Sequence, residues 1–284
     1  MLETLINPKR VEKGPWKMFF IGLIYASLSL LLVHWLFASD SNLSQASGML
    51  VVLFCIMFSF PFMYFIIKKE EKDDEIAEGI FSVWQAHKDA IYAFMWLFFG
   101  FVVAFSFWNI VLQDSNLLNF QVQTYCQINS PSDVSGCVEK YSSGSFVTGN
   151  STNGIRFLSI IENNVYVMIF TLVFSLIFGA GALFILVWNA SVISAAIGIF
   201  TKYTLSDIPL GIARYIIHGF PEITAYFITA LAGGIFGIGL MRHGFKDKKF
   251  SKIVENVILL IFIALIILII AAVLEVYVTP SIFK

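Results

Sequence analysis

Charge is what this sequence has least of. Asp, Glu, Lys and Arg make up 13% of its 284 residues, against the roughly 25% typical of a soluble domain. With 58% of residues hydrophobic and a mean hydropathy of +0.82, the chain has too little polar surface to enclose one aqueous core. That excludes an ordinary soluble fold. Histidine and cysteine are also scarce, at four and three residues. H-E-x-x-H, G-x-S-x-G and G-x-x-x-x-G-K-[ST] do not occur in the chain, so the common signatures of zinc proteases, serine hydrolases and phosphate loops are missing. His218 and Glu222 could supply two metal ligands, but no third or fourth is visible. No catalytic residue, metal or cofactor is therefore expected. The net charge of −1 carries no signal for nucleic acid, and none is expected as a partner.

What the chain does have is long apolar runs, at 18–37, 49–67, 90–112, 165–188 and 257–278. About 20 residues at 1.5 Å each cross the hydrocarbon of a bilayer. Lipid offers backbone groups no partner, so each run is expected to be a helix. The runs are too long, and alternate too little, for a membrane barrel. The lipid bilayer is thus the first partner.

The charges are few but grouped. Lys9, Arg10, Lys13 and Lys17 lie in the N-terminal tail; Lys68, Lys69, Lys72 and Lys88 lie between the second and third runs. Arg242, Lys246, Lys248, Lys249 and Lys252 precede the last run. Basic residues beside spans mark the cytoplasmic side, so the N-terminus is expected there. The tail leads into a full-length span and does not read as a cleavable signal. The loop 113–163 then lies outside. Its Cys126 and Cys137 read as a disulfide, with two free thiols as the alternative. Asn42 and Asn150 open glycosylation triplets on outside loops, a weak signal. Cys55 reads as a packing residue, and His34 and His87 as isolated interfacial histidines.

These boundaries give a tail at 1–17, a transmembrane hairpin at 18–67, a cytoplasmic amphipathic helix at 68–89, a span at 90–112, an outside loop at 113–163 and a transmembrane core at 164–284. The amphipathic segment is a connector on the membrane or a docking surface for a soluble partner.

Between residue 163 outside and residue 242 inside, the chain must cross an odd number of times. One clear span precedes the run 209–241. That run is overlong, at about 50 Å as one helix, while 190–203 is short. The pair suggests a third, broken or re-entrant element. Gly219 and Pro221 are the natural break, because glycine ends helices and proline starts them. A proline kink in one tilted helix is the alternative. The expected fold is an all-α polytopic bundle of six long helices plus this short element.

Polar groups inside the runs are functional candidates by default. They are Asn164, Asn189, Arg214, His218, Glu222 and Glu275. They fit an ion or proton relay, or they satisfy one another. After Pro221, the residues Ala225, Thr229, Gly233 and Gly237 recur every four positions. Such a smooth ridge admits another helix closely, either within the subunit or as a homo-oligomer interface.

Three motifs, "ENNVYVMIFTLVFSLIFGAGALFILVWNA", "HGFPEITAYFITALAGG" and "AAVLEVYVTP", resemble the stage II sporulation protein M family. Asn164, Gly179, Gly181, Asn189, His218, Gly219, Glu222, Glu275, Thr279 and Pro280 match its pattern, while Ala190 and Pro221 depart from it. The resemblance covers about the last 120 residues, and the first two spans look like an addition. It implies a multispan membrane protein with no active site of its own. It also implies a scaffold role beside membrane or envelope protein partners.

Cysteines introduced singly between residues 246 and 252 should react with a membrane-impermeant thiol reagent only from the cytoplasmic side. Labelling of intact cells from outside would overturn the topology.

Overall fold

The computed structural model describes residues 14–37, 39–40, 43–74, 79–112, 117–129, 133–143, 153–178, 182–201, 203–245 and 247–282. Lys9, Arg10, Lys13, Asn42, Asn150, Gly179, Ala180, Gly181 and Lys246 lie outside them. Among the described residues the regular structure is all helical: α1 (Lys17–Phe37), α2 (Ser47–Asp74), α3 (Gly79–Leu112), α4 (Asn119–Asn129), α5 (Val134–Ser143), α6 (Asn153–Phe178), α7 (Ala182–Phe200), α8 (Ile208–His243) and α9 (Lys248–Val273). A wider turn, Leu274–Val278, and a last helical turn, Thr279–Ile282, continue α9. Seven of these helices, all but α4 and α5, are long and apolar enough to cross a membrane. Their outer faces agree: Tyr166, Ile169, Phe170 and Val173 on α6, and Ile258, Phe262, Ile266 and Ile269 on α9, are all exposed. Such continuous apolar faces are untenable in water and ordinary against lipid.

Helix α8 is the axis of the bundle and packs against α2, α3, α6, α7 and α9. The rings of Phe94 and Phe227 stack at 5.2 Å, joining α3 to α8 at the centre. On the other side of α3, Gly22 and Gly100 let α1 cross almost backbone to backbone. A Cβ on Gly22 would run into Leu97 O, and one on Gly100 into Phe19 O. Trp108 Nε1 donates to Ser27 Oγ at 2.9 Å along the same seam. Helices α4 and α5 are joined by the Cys126–Cys137 disulfide, with a Cα–Cα distance of 5.8 Å. Helix α4 sits against the start of α2, through Asn119 Nδ2 to Gln45 O just before it at 2.7 Å and Gln121 Nε2 to Gly48 O at 3.0 Å. Cys55 is buried and unbridged.

Several expectations need correction. The run 165–188 is two helices, since α6 ends at Phe178 and α7 begins at Ala182. The residues between them are Gly179, Ala180 and Gly181, small and apolar, so the hydropathy of the run never drops. The segment 190–203 is accordingly no short re-entrant piece. Most of it is the second half of the 19-residue α7. Helices α6, α7 and α8 then give the odd number of candidate crossings that the charges demand.

Helix α8 also does not break at Gly219 and Pro221. It runs 36 residues with Pro221 inside it, about 54 Å in length. An interior proline removes one N–H donor and crowds the carbonyl four residues back. A full break would instead strand as many as about four N–H and four C=O groups, which lipid punishes more. A helix of this length fits a bilayer by tilting.

Residues 68–89 do not form a separate interfacial helix. Residues 68–74 extend α2, and residues 79–89 open α3. His87, taken as isolated, is buried against the buried Glu70 of α2, with Nδ1 2.7 Å from Oε2. The pairing escaped sequence reading because 17 residues separate the partners.

The small-residue ridge is occupied within the chain and is not free to join a second copy. Ala225, Thr229, Gly233 and Gly237 are all buried. A Cβ on Gly233 would sit 2.7 Å from Leu172 O, and one on Gly237 would sit 2.6 Å from Leu176 O. The ridge is the groove into which α6 packs.

Two glycine substitutions separate these ideas. Gly237→Leu should force α6 away and destabilise the protein by about 1–3 kcal/mol. At Gly219 an added Cβ would meet only Ile193 Cδ1, at 4.0 Å. In a continuous helix Gly219→Ala should stabilise by up to about 1 kcal/mol. Thermal unfolding of the purified variants in detergent checks both signs, and a destabilised Gly219→Ala would restore the broken helix.

Candidate functional site

The polar candidates divide into a cluster and outliers. The cluster forms where the first half of α8 meets the end of α9. His218 faces α9, and its Nδ1 lies 3.2 Å from Thr279 Oγ1. Four residues on, Glu222 Oε1 accepts from Tyr226 OH at 2.9 Å. Residues four apart share a helix face, so α8 presents His218, Glu222 and Tyr226 as one stripe. Glu275 comes from the facing helix, near enough for its carboxyl and that of Glu222 to interact electrostatically. His218 and Glu222 are half-buried, and Tyr226 is buried.

Glu275 lies inside the wide turn Leu274–Val278. Here the N–H of Thr279 reaches back five residues to Leu274 O, and Thr279 Oγ1 reaches the same carbonyl at 3.1 Å. The cause is local. Pro280 has no N–H to give, and its ring crowds the carbonyl four residues earlier. Widening the preceding turn relieves that crowding and keeps the helix going. Pro280 therefore does not end the helix. The turn also places Thr279 where His218 can reach it. Single π-type turns of this kind recur at functional sites.

Three candidates lie elsewhere. Arg214 puts its guanidinium over the Phe200 ring of α7, with Cζ 4.7 Å from the centroid, a favourable cation–π arrangement. Asn189 turns its amide onto its own helix, with Nδ2 2.7 Å from Ile185 O. Asn164 is buried on α6 and takes a long hydrogen bond of 3.4 Å from Asn163 Nδ2. Of the six candidates, His218, Glu222 and Glu275 come together, while Arg214 packs on α7, Asn189 bonds within α7 and Asn164 bonds within α6.

Sequence reading missed Tyr226 and gave Thr279 no role at the site. The first was available, because a tyrosine four residues after a half-buried glutamate is a natural donor to it. The second depended on the wide turn, which no local pattern announces. Among the described residues no three His, Cys, Asp or Glu side chains group so as to hold a metal ion. Chemically, the cluster can hold helices together by hydrogen bonds, or take up and release a proton.

Comparison with known proteins agrees with this architecture. An uncharacterized protein of Methanocaldococcus jannaschii is 33% identical over 133 residues, which are 45% of this chain and 72% of that protein. No solved structure matches the chain. The family model described as Stage II sporulation protein M matches residues 12–280. The match takes in the first two spans, so they are part of the family pattern and not an addition to it. The chain belongs to the stage II sporulation protein M family of multi-pass membrane proteins.

Proposed function

We propose that this chain is a non-enzymatic membrane scaffold or assembly protein, with its N-terminus in the cytoplasm and the α4–α5 disulfide unit outside. The observation that carries this reading is that polar groups of α8 are engaged within the chain, one across to the end of α9 and one along α8 itself. His218 meets Thr279, and Glu222 meets Tyr226. A buried polar group satisfied inside the chain rigidifies the packing around it. Helix α8 touches five other long helices, so the His218–Thr279 contact that ties α8 to the end of α9 helps to fix the bundle. Membrane or envelope proteins are the partners such a rigid bundle would hold.

A second reading has its own support. Glu222 and Glu275 interact electrostatically, and His218 is one turn away. Two carboxyls and a histidine at membrane depth are the material of a proton or ion path. In that case the chain is a transporter or channel for a proton, an ion or a lipid-like solute.

Reconstitution distinguishes the two. Proteoliposomes containing the scaffold should pass protons and monovalent cations no faster than empty vesicles. Glu222→Gln should leave that leak unchanged, and His218→Ala should lower the thermal midpoint of the purified protein. A flux in the wild type that Glu222→Gln abolishes would establish the transporter instead.

A further inference from the structure

The α8–α9 turn carries a surface that neither reading uses. Helix α8 ends at His243, and Gly244, with φ of +72°, turns the chain. That positive φ suits glycine and strains other residues. The N–H of Gly244 closes the helix on Leu240 O at 3.0 Å. On either side of the turn stand Met241, 81% exposed, and Phe245, 76% exposed. Arg242, Lys248 and Lys249 are exposed beside them.

The acid in this turn is engaged by its own backbone and by His243. Asp247 caps α9 by accepting from Lys249 N at 2.9 Å, and its other oxygen lies 3.3 Å from His243 Nδ1. The Lys249 N–H, helped by His243, holds the Asp247 carboxyl below the usual carboxylate range. It therefore stays charged at neutral pH as a structural cap.

A basic turn flanked by bare apolar side chains has a specific complement. We infer that the α8–α9 turn is a docking surface for anionic phospholipid, with Arg242, Lys248 and Lys249 on the headgroup phosphates and Met241 and Phe245 among the acyl chains. The charge is complementary, and its source is fixed by the apolar pair. A free phosphate has no use for Met241 and Phe245, and a soluble acidic protein would have to cover them. Lysine and arginine beside a membrane attract anionic lipid with about 1 kcal/mol each. Insertion of the apolar pair adds the burial that a purely electrostatic contact lacks.

The test uses the full chain in uncharged detergent, titrated with phosphatidylglycerol or phosphatidylcholine, with the thermal midpoint as readout. Phosphatidylglycerol should raise the midpoint in a saturable way, and phosphatidylcholine should not. The variant Arg242→Gln/Lys248→Gln/Lys249→Gln should keep the lipid-free midpoint and bind phosphatidylglycerol on the order of a hundred-fold more weakly. Met241→Ser/Phe245→Ser, made separately, should weaken lipid binding while leaving the basic residues in place. Equal shifts in the wild type and the triple variant would overturn the assignment. So would equal shifts with the two lipids, or the same shift from inorganic phosphate alone. If the triple variant does not fold, Lys248→Gln alone should still weaken binding several-fold, and unchanged binding there would count equally against it.

Discussion

A backbone N–H or C=O within the hydrocarbon has no water to turn to, so the fold depends on keeping each spanning helix whole. Prolines 221 and 280 show how far that constraint reaches. At Pro221 the chain accepts one missing donor and α8 continues past it. At Pro280 it widens the turn before the proline, and Leu274 O takes both the N–H and the Oγ1 of Thr279. In neither case does the helix stop. Sequence rules for proline come largely from aqueous proteins, where a freed carbonyl can bond to water. With that option gone, the disturbance is absorbed inside the helix.

Whole helices must then be packed, and lipid gives no hydrophobic drive for helices to associate. Close contact has to supply the difference. Glycines mark the places where helices come nearest. Gly22 meets Gly100 between α1 and α3, and Gly233 and Gly237 admit α6. These two seams lie on opposite sides of the α3–α8 pair, which Phe94 and Phe227 lock face to face. Phe98 meets Phe227 edge-on beside that stack, so aromatic packing joins α3 to α8 while glycine seams join α1 to α3 and α6 to α8.

The class of the fold was legible because its cause, a run of about 20 apolar residues, is local. The disulfide was legible for the same reason: its two cysteines lie 11 residues apart on one loop. Boundaries failed where apolarity hid them. The three residues between α6 and α7 are all small and apolar, so two helices read as one run. Conversely, the charged stretch after residue 67 looked like the edge of a domain, yet α2 continues through it to Asp74. Partnerships across the sequence were the least legible. Nothing near His87 points to Glu70, and nothing near His218 points to Thr279. The relation of His218 and Glu222 to one another could be read, because a spacing of four on a helix is local. Which helix faces them could not, because that is decided by the α8–α9 crossing.

The placement of the polar cluster along α8 has its own logic. From Ile223 to Ile235 nearly every residue is buried, and most are small or apolar. Before Ile223, only Gly211 and Gly219 are buried. A titratable side chain in the second half would displace the α6 backbone and lose its solvation entirely. In the first half it stands half-buried, opposite a helix end that a wide turn has opened to offer a hydroxyl and a carboxyl. The same helix therefore does two incompatible jobs by keeping them apart. Its glycine-lined half supplies the close packing, and its earlier half carries the groups that close packing could not tolerate. Whatever Glu222 and His218 do, scaffold or relay, they do it at the level of α8 where a proton could be held without unpacking the bundle.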